Sequence, residues 1–404
     1  MYVPGLLAAV VAGALIAPAG APSLDTSFAG TGAVYDDFGG GDEVAALTVQ
    51  PDGNILAMGP GNFGFNLVRR LPSGYPDISF GSWGKVSTDV HPGTEGEHPT
   101  TLTLLPDGRI IVGGRVTPGG RQTAVLVTYA SDGTVLSTLY PDLGEGLAAS
   151  SVAAVSPRPD GKLLVAVAAV TEDGSDPPVL TRLLPDGTPD TTFGAGGVVR
   201  ADVGERDFDQ VSGMAVTPDG HIVVSGSTMW WSTLPEPTGD IMLARFTPDG
   251  ALDTSFGKGG RVTRDITGPQ GIDGGGAPQI TAGGRILMTA WTQKNGTGRT
   301  ALLRYLPNGR PDRGFGHDGL VTTTFPSLNS PVVGAGGRIM VTGGVNGDVL
   351  LAEFRPDGRL LWSHTTDVAG APEYGNTLTV QPGGKLLVGG HVEYMDFAIF
   401  RFNR

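Results

Sequence analysis

The residues best placed to do chemistry are carboxylates gathered in the short connections between apolar runs. Asp36, Asp37, Asp42 and Glu43 form one group, Asp89, Glu95 and Glu97 a second, and Asp142 and Glu145 a third. Asp202, Glu205, Asp207 and Asp209 follow, then Asp265 with Asp273, then Asp367 with Glu373. These seventeen carboxylates are accompanied by one basic residue, Arg206. A rim of that composition carries a negative potential and attracts hard cations, calcium foremost. Facing carboxylates are also the acid and base of glycoside hydrolysis. The plain alternative is a solvated rim that keeps the chain soluble, and no D-x-D-x-D-G loop specifies a calcium site. No metal-ligand set is therefore assigned.

Beside the rim stand His98 after Glu97, Tyr374 after Glu373, and Trp230-Trp231 in a long connection flanked by Met229, Pro235 and Pro237. Adjacent exposed aromatics offer flat apolar surface for stacking on a sugar or for a protein contact. The candidate binding residues are thus Asp42, Glu43, Glu97, His98, Asp207, Asp209, Trp230, Trp231, Asp273, Glu373 and Tyr374. Other chemistries find no support. The six histidines form no i, i+4 pair, and no G-x-S-x-G elbow occurs. The Gly39–Gly41 and Gly274–Gly276 runs are read as loops with no following helix, so they are not phosphate cradles. No catalytic residue is assigned.

The elements that must position these residues are repeats. The chain has 404 residues, 66 of them Gly and 31 Pro, a composition unfit for long helices. There is no cysteine, which excludes disulfides and thiolate chemistry. With 27 basic against 40 acidic residues, the net charge of −13 disfavours nucleic acid and anionic membranes. One unit reads as an apolar run, a Pro-Asp-Gly-like turn, a second run, a variable loop, a third run, another such turn and a fourth run. The first-turn glycine recurs at Gly53, Gly108, Gly161, Gly220, Gly284, Gly337 and Gly384, at steps of about 55 residues. Short Val/Ile/Leu/Thr runs punctuated by glycine are strands joined by hairpins. The expected fold is all-β, a seven-bladed β-propeller of four-stranded antiparallel blades, A to D, which protects nearly every strand edge.

The seventh unit stops after its third strand, whereas a spare fourth strand, Gly32 to Phe38, precedes the first unit. Pairing of the two predicts ring closure by an N-terminal strand and one domain over residues 22–404. Residues 1–21 read as a signal peptide: Leu6 to Ala17 is an apolar run of twelve followed by two A-x-A patterns, although no Lys or Arg precedes it. No other stretch is apolar enough to span a bilayer.

A second periodic signal couples two charges. Arg69, Arg182, Arg245 and Arg304 each stand five residues before a C-to-D turn glycine, and eight residues after each comes Asp77, Asp190, Asp253 or Asp312, opening an Asp-x-x-Phe-Gly segment. Thr128 and Glu353 replace the Arg in the two units that lack the segment. Arg401 lacks a following Asp, and Asp25-Thr26-Ser27-Phe28 lacks a preceding Arg, so closure predicts the pair Arg401 with Asp25. A planar guanidinium suits such pinning of the crossover to strand C, with the Phe packed between blades.

The segments Leu24 to Gly32, Pro189 to Gly197 and Leu252 to Gly260, each followed by a strand and then by motifs such as QPDGNIL or TPDGHIV, resemble the delta-60 repeat family of bacterial β-propellers of unknown function. That resemblance implies a propeller in extracellular or surface proteins and brings no catalytic residues. The expectation is a secreted or cell-surface monomeric binding scaffold, engaging an extracellular protein, glycan or cation through its acidic, loop-variable face. The alternative is a polysaccharide hydrolase or lyase that uses rim carboxylates.

Overall fold

The apolar runs become strands because each is short, rich in branched residues and closed by a glycine in the left-handed region, as at Gly53 (φ 87°). There the Gly53 N–H donates to the Gln50 carbonyl (2.8 Å), and the Asp52 carboxylate accepts from the Asn54 N–H (3.0 Å). The computed structural model describes residues 22–61, 64–93, 96–201, 208–230, 238–393 and 396–404, with the backbone alone for 208, 209, 229 and 230. The apolar N-terminus 1–21, Asp207 and Trp231 lie outside the described residues. Among those described, no helix is long and apolar enough to cross a membrane.

In unit 1 the strands Ala46–Val49, Ile55–Gly59, Phe65–Arg70 and Lys85–Thr88 pair antiparallel in chain order, and units 2, 3 and 6 repeat this four-stranded sheet. Units 4 and 5 each have the same core ladder, joined into one nine-stranded sheet by a single parallel bridge from Gly239 to Ile272. Gly274 and Gly275 are not the loop residues expected, whereas Gly276 lies beyond the strand. Gly271–Gly275 is a strand, pressed so closely on its neighbour that a Cβ on Gly275 would lie 2.5 Å from the Met288 side chain and 2.8 Å from the Gly226 carbonyl. Trp291 is 44% exposed and lies over Gly274. The connection between Ile286–Lys294 and Thr297–Tyr305 is a tight hairpin, because the two strands stay paired to its tip at Lys294 and Thr297.

In unit 7, Glu373–Val380, Leu386–Val392 and Asp396–Asn403 are followed in the sheet by the N-terminal strand Ala33–Asp36, which pairs antiparallel with the last strand from Ala33↔Phe400 to Asp36↔Phe397. Ser23–Leu24 extends the same pairing to Asn403 and Phe402. The architecture is an all-β, propeller-like array of four-stranded antiparallel sheets. Both faces of the middle strands are apolar because sheets pack against sheets: Leu56, Met58 and Leu67 of unit 1 share a cluster with Ile110, Val112 and Val125 of unit 2. Phe28 and Val34 from the N-terminus cluster with Ile55 and Val68 of unit 1 and with Leu387, Phe397 and Ile399 of unit 7.

Charged latches tie one unit to the next. Nε of Arg69, Arg182, Arg245, Arg304 and Arg401 lies 2.8, 2.7, 2.7, 2.8 and 2.8 Å from the carboxylates of Asp77, Asp190, Asp253, Asp312 and Asp25. Each guanidinium also covers the Phe of its segment at 4.5–4.9 Å and donates to a carbonyl in the following unit's turn, as Arg182 does to Pro248 (2.8 Å). The Phe lies beneath that turn's glycine: Phe193 under Gly250, Phe28 under Gly74. One Arg thus bonds its own crossover and the next unit together. A second partner comes from the residue after the first-turn glycine, where Lys162, Arg285 and Lys385 stand 2.9, 3.0 and 3.0 Å from Asp190, Asp312 and Asp25. In unit 6 the polarity inverts: Glu353 accepts from Trp362 Nε1 (2.7 Å), Arg338 (3.2 Å) and Arg404 (2.9 Å).

Candidate functional site

Strand A begins, and strand B ends, on the side of the units where the loops are irregular. There the rim carboxylates divide into two kinds. Asp42, Asp273 and Glu373 are fully buried and Glu97 is nearly so. Each turns inward and accepts backbone N–H groups of the connection that leads into its strand. Asp42 accepts from Phe38 (2.5 Å), Glu97 from Val90 (3.1 Å) and His91 (2.6 Å), Asp273 from Ile266 (2.6 Å) and Thr267 (3.0 Å), and Glu373 from Val368 (2.9 Å) and Ala369. Burial pushes all four carboxyls above their ordinary range, although these bonds pull the other way. Their geometry is that of loop anchors: a buried backbone N–H requires an acceptor, and the carboxylate supplies it.

The residue after three of the anchors lies at the rim: Glu43, His98 and Tyr374 follow Asp42, Glu97 and Glu373, and Gln210 holds the equivalent place in unit 4. Their carbonyls press on strand B, where only glycine fits: a Cβ on Gly59, Gly114, Gly226 or Gly390 would lie 1.7, 2.3, 1.7 or 1.7 Å from the oxygens of Glu43, His98, Gln210 and Tyr374. In units 2, 4 and 7 the ladder shifts register just beyond this point, a β-bulge that re-aims the side chains around it.

Glu43 and Tyr374 belong to one connected group. Tyr374 stacks on His391, ring centroids 5.1 Å apart and planes 25° from parallel. His391 Nδ1 lies 3.6 Å from Glu43, whose carboxylate accepts from Asn376 Nδ2 (2.9 Å). Burial lowers the His391 imidazole below its ordinary value, against the opposing charge of Glu43. Burial and then Arg115 do the same to His98, again against Glu43. Both rings are therefore neutral at neutral pH, and neutral imidazole can accept a proton. The backbone of Trp230 pairs with Thr238 at the end of strand B, and that of Asp209 with Thr228.

One set of carboxylates among the described residues could hold a cation: Asp240, Asp265 and Asp273 offer oxygens within 4.8 Å of one another. Asp273 is already engaged there, by Ile266 and Thr267 at Oδ2 and by the Thr267 hydroxyl at Oδ1 (3.0 Å), so the set fits a cation poorly. Sequence reasoning located the acid-plus-neighbour pairs but not their division of labour. It passed over Arg115, Gln210 and Asp176, for which the only signal was position in an irregular loop or at a strand end.

Four segments, 105–135, 158–193, 217–256 and 284–315, match a family described as a β-propeller domain of unknown function, DUF5122. No curated protein matches the chain. Among solved structures it is similar to an ulvan lyase of a new polysaccharide lyase family, at 11% identity and a TM-score of 0.54 over 90% of this chain and 95% of that one. It is similar also to Drosophila Semaphorin 2a, at 9% identity and a TM-score of 0.52 over 92% of this chain and 75% of that one. At such identities the likeness is one of fold, and it places the chain among β-propeller structures.

Proposed function

We propose that residues 22–404 form a single seven-bladed propeller of the delta-60 type, closed by its N-terminal strand, which serves as a secreted or cell-surface scaffold and binds a glycan, protein or cation through the irregular face. The observation that carries this reading is the row of unlike side chains, Glu43, His98, Gln210 and Tyr374, at one equivalent position of four units on backbone fixed by glycine and, where described, by a buried acid. Recurrent latches on one side and variable polar groups on the other are the division expected of a binding scaffold. Asp207, Asp209, Trp230 and Trp231 belong to the proposed surface on sequence grounds. The test is a screen of the purified chain against glycans, secreted proteins and calcium, repeated with Glu43→Ala, His98→Ala, Tyr374→Ala and the double Trp230→Ala/Trp231→Ala variant. Loss of a bound ligand in these variants supports the reading, and binding indifferent to all of them ends it.

One observation favours a second reading, a polysaccharide hydrolase or lyase: the Tyr374, His391 and Glu43 group pairs a neutral imidazole with a carboxylate and a phenol. A lyase among the structural neighbours makes acidic polysaccharide the first substrate to try. Release of reducing or unsaturated ends by the native chain, abolished in His391→Ala, would establish catalysis; its absence across a substrate panel leaves binding.

A further inference from the structure

The irregular face holds a cavity of about 160 Å³ bounded by Arg115 and Gln122 of unit 2, Ser151 and Asp176 of unit 3, and Gln210 of unit 4, with Ala168 among its apolar lining. Two of its polar groups are incomplete: Asp176 Oδ1 and Ser151 Oγ are both shut off from solvent and have no hydrogen-bond partner among the described residues. Buried polar atoms left in this condition are rare, and two at one cavity call for a common explanation.

Asp176 is rigidly presented. The preceding hairpin is closed by the Thr171 N–H donating to the Ser175 carbonyl (2.8 Å) and by the Asp173 carboxylate accepting from the Ser175 N–H (3.1 Å). Pro177 and Pro178 follow; a proline fixes its own φ and holds the residue before it extended. Among the described residues no basic group stands within ion-pair distance of Asp176, and burial alone lifts its carboxyl to about 6. The cavity thus contains a fixed acidic group without a counter-ion, ringed by a hydroxyl and two carboxamides.

We propose that this cavity binds a primary ammonium group of an extracellular ligand, with Asp176 as counter-ion, Ser151 and the carboxamide oxygens of Gln122 and Gln210 as further acceptors, and Arg115 turned to the ligand's own oxygens. An ammonium has three donors and no acceptor, which is what this set of acceptors can satisfy. A neutral sugar leaves Asp176 uncompensated, an anion meets both Asp176 and a chain of net charge −13, and a hard metal ion needs more oxygen charge than one carboxylate provides. The volume admits one residue of a polymer rather than a larger ligand. Two sources share this chemistry, an amino sugar and a lysine-like side chain. The inference rests on the reading of this face as the binding side.

The experiment is calorimetric titration of the full chain with glucosamine against glucose and N-acetylglucosamine, and with Nα-acetyl-lysine amide against Nα-acetyl-norleucine amide, at neutral pH. The amine should bind at least about tenfold more tightly than its uncharged counterpart in one of the two series, and Asp176→Asn should abolish that difference. Ser151→Ala should weaken it while leaving the melting temperature of the free protein unchanged. Glucose binding as well as glucosamine, no amine binding at millimolar concentration, or full binding by Asp176→Asn would each overturn the proposal. Polymer binding that needs Glu43, His98 or Tyr374 but is indifferent to Asp176 would overturn it too, while leaving the wider reading of the face intact.

Discussion

Nε of Arg401, in the last strand, lies 2.8 Å from the carboxylate of Asp25, near the start of the described chain, and both side chains are almost wholly buried. Arg401 also donates to the Pro72 carbonyl of unit 1 (2.5 Å) and to the Ser27 hydroxyl (3.0 Å). Three parts of the chain that are distant in sequence are therefore bonded through one guanidinium. Without Arg401, Asp25 keeps Lys385 at 3.0 Å and the Ser27 hydroxyl at 2.7 Å, so the loss falls below the about 3–5 kcal/mol of a buried charge left wholly unpaired. Arg401→Ala should lower the denaturant midpoint accordingly, whereas Arg109→Ala, which breaks an exposed pair with Asp107, should change stability by no more than about 0.5 kcal/mol. Equal effects would refute a structural role for the latch.

The same latch has a pH signature. Burial opposes ionisation of Asp25, but hydrogen bonds from Ser27 and Lys385 and the charge of Arg401 outweigh it and bring the carboxyl down to about 2. A depressed carboxyl stabilises the fold above its unfolded value, near 3.8, and that contribution is lost as the pH falls through 2. Asp25→Asn should therefore narrow the stability difference from the native chain as acid is added, measured as melting temperature against pH.

Phe28 is fully buried under Gly74 and beneath the Arg401 guanidinium. Truncating a buried Phe costs about 3–5 kcal/mol. Deleting the chain through Asp36 goes further, because it strips the strand that covers the edge of Asp396–Asn403. Such an unpaired edge invites association between copies. The expected result is a species of larger mass in light scattering; a monodisperse, equally stable truncation would contradict it.

The loop anchors respond to isosteric change differently from truncation. Glu373→Ala orphans the N–H groups of Val368 and Ala369, a loss of about 1–3 kcal/mol. Glu373→Gln keeps an acceptor oxygen and removes a charge that burial disfavours, so its stability at neutral pH should stay close to native. Thermal melts of the two variants distinguish an anchor from a solvated rim acid, for which both would be silent.

For Asp176 the sign is opposite to that for Asp25. A carboxyl raised to about 6 from 3.8 destabilises the fold above 6, and that penalty fades as the pH drops from 6 toward 4. Asp176→Asn should stabilise the free protein at neutral pH by about 1 kcal/mol after allowance for solvent screening, with the gain vanishing near pH 4.

The sequence alone determined what is periodic and local. Glycine at a turn, an apolar run, and an Arg eight residues from an Asp are fixed by backbone sterics and short-range pairing, so the units, the latch residues and the terminal strand that pairs with Asp396–Asn403 were all legible. What only the tertiary structure decided are contacts between units. Asp42 and Glu43 look alike in sequence, yet Asp42 is buried on the Phe38 N–H and Glu43 reaches Asn376 and His391 of unit 7, because successive side chains of an extended segment point to opposite sides. The reach of each Arg into the following unit, the inverted charges at Glu353, the fusion through Gly239 and Ile272, and the cavity around Asp176 depend on how closely neighbouring sheets approach. That distance is set by packing across residues about 50 apart, and no local pattern encodes it.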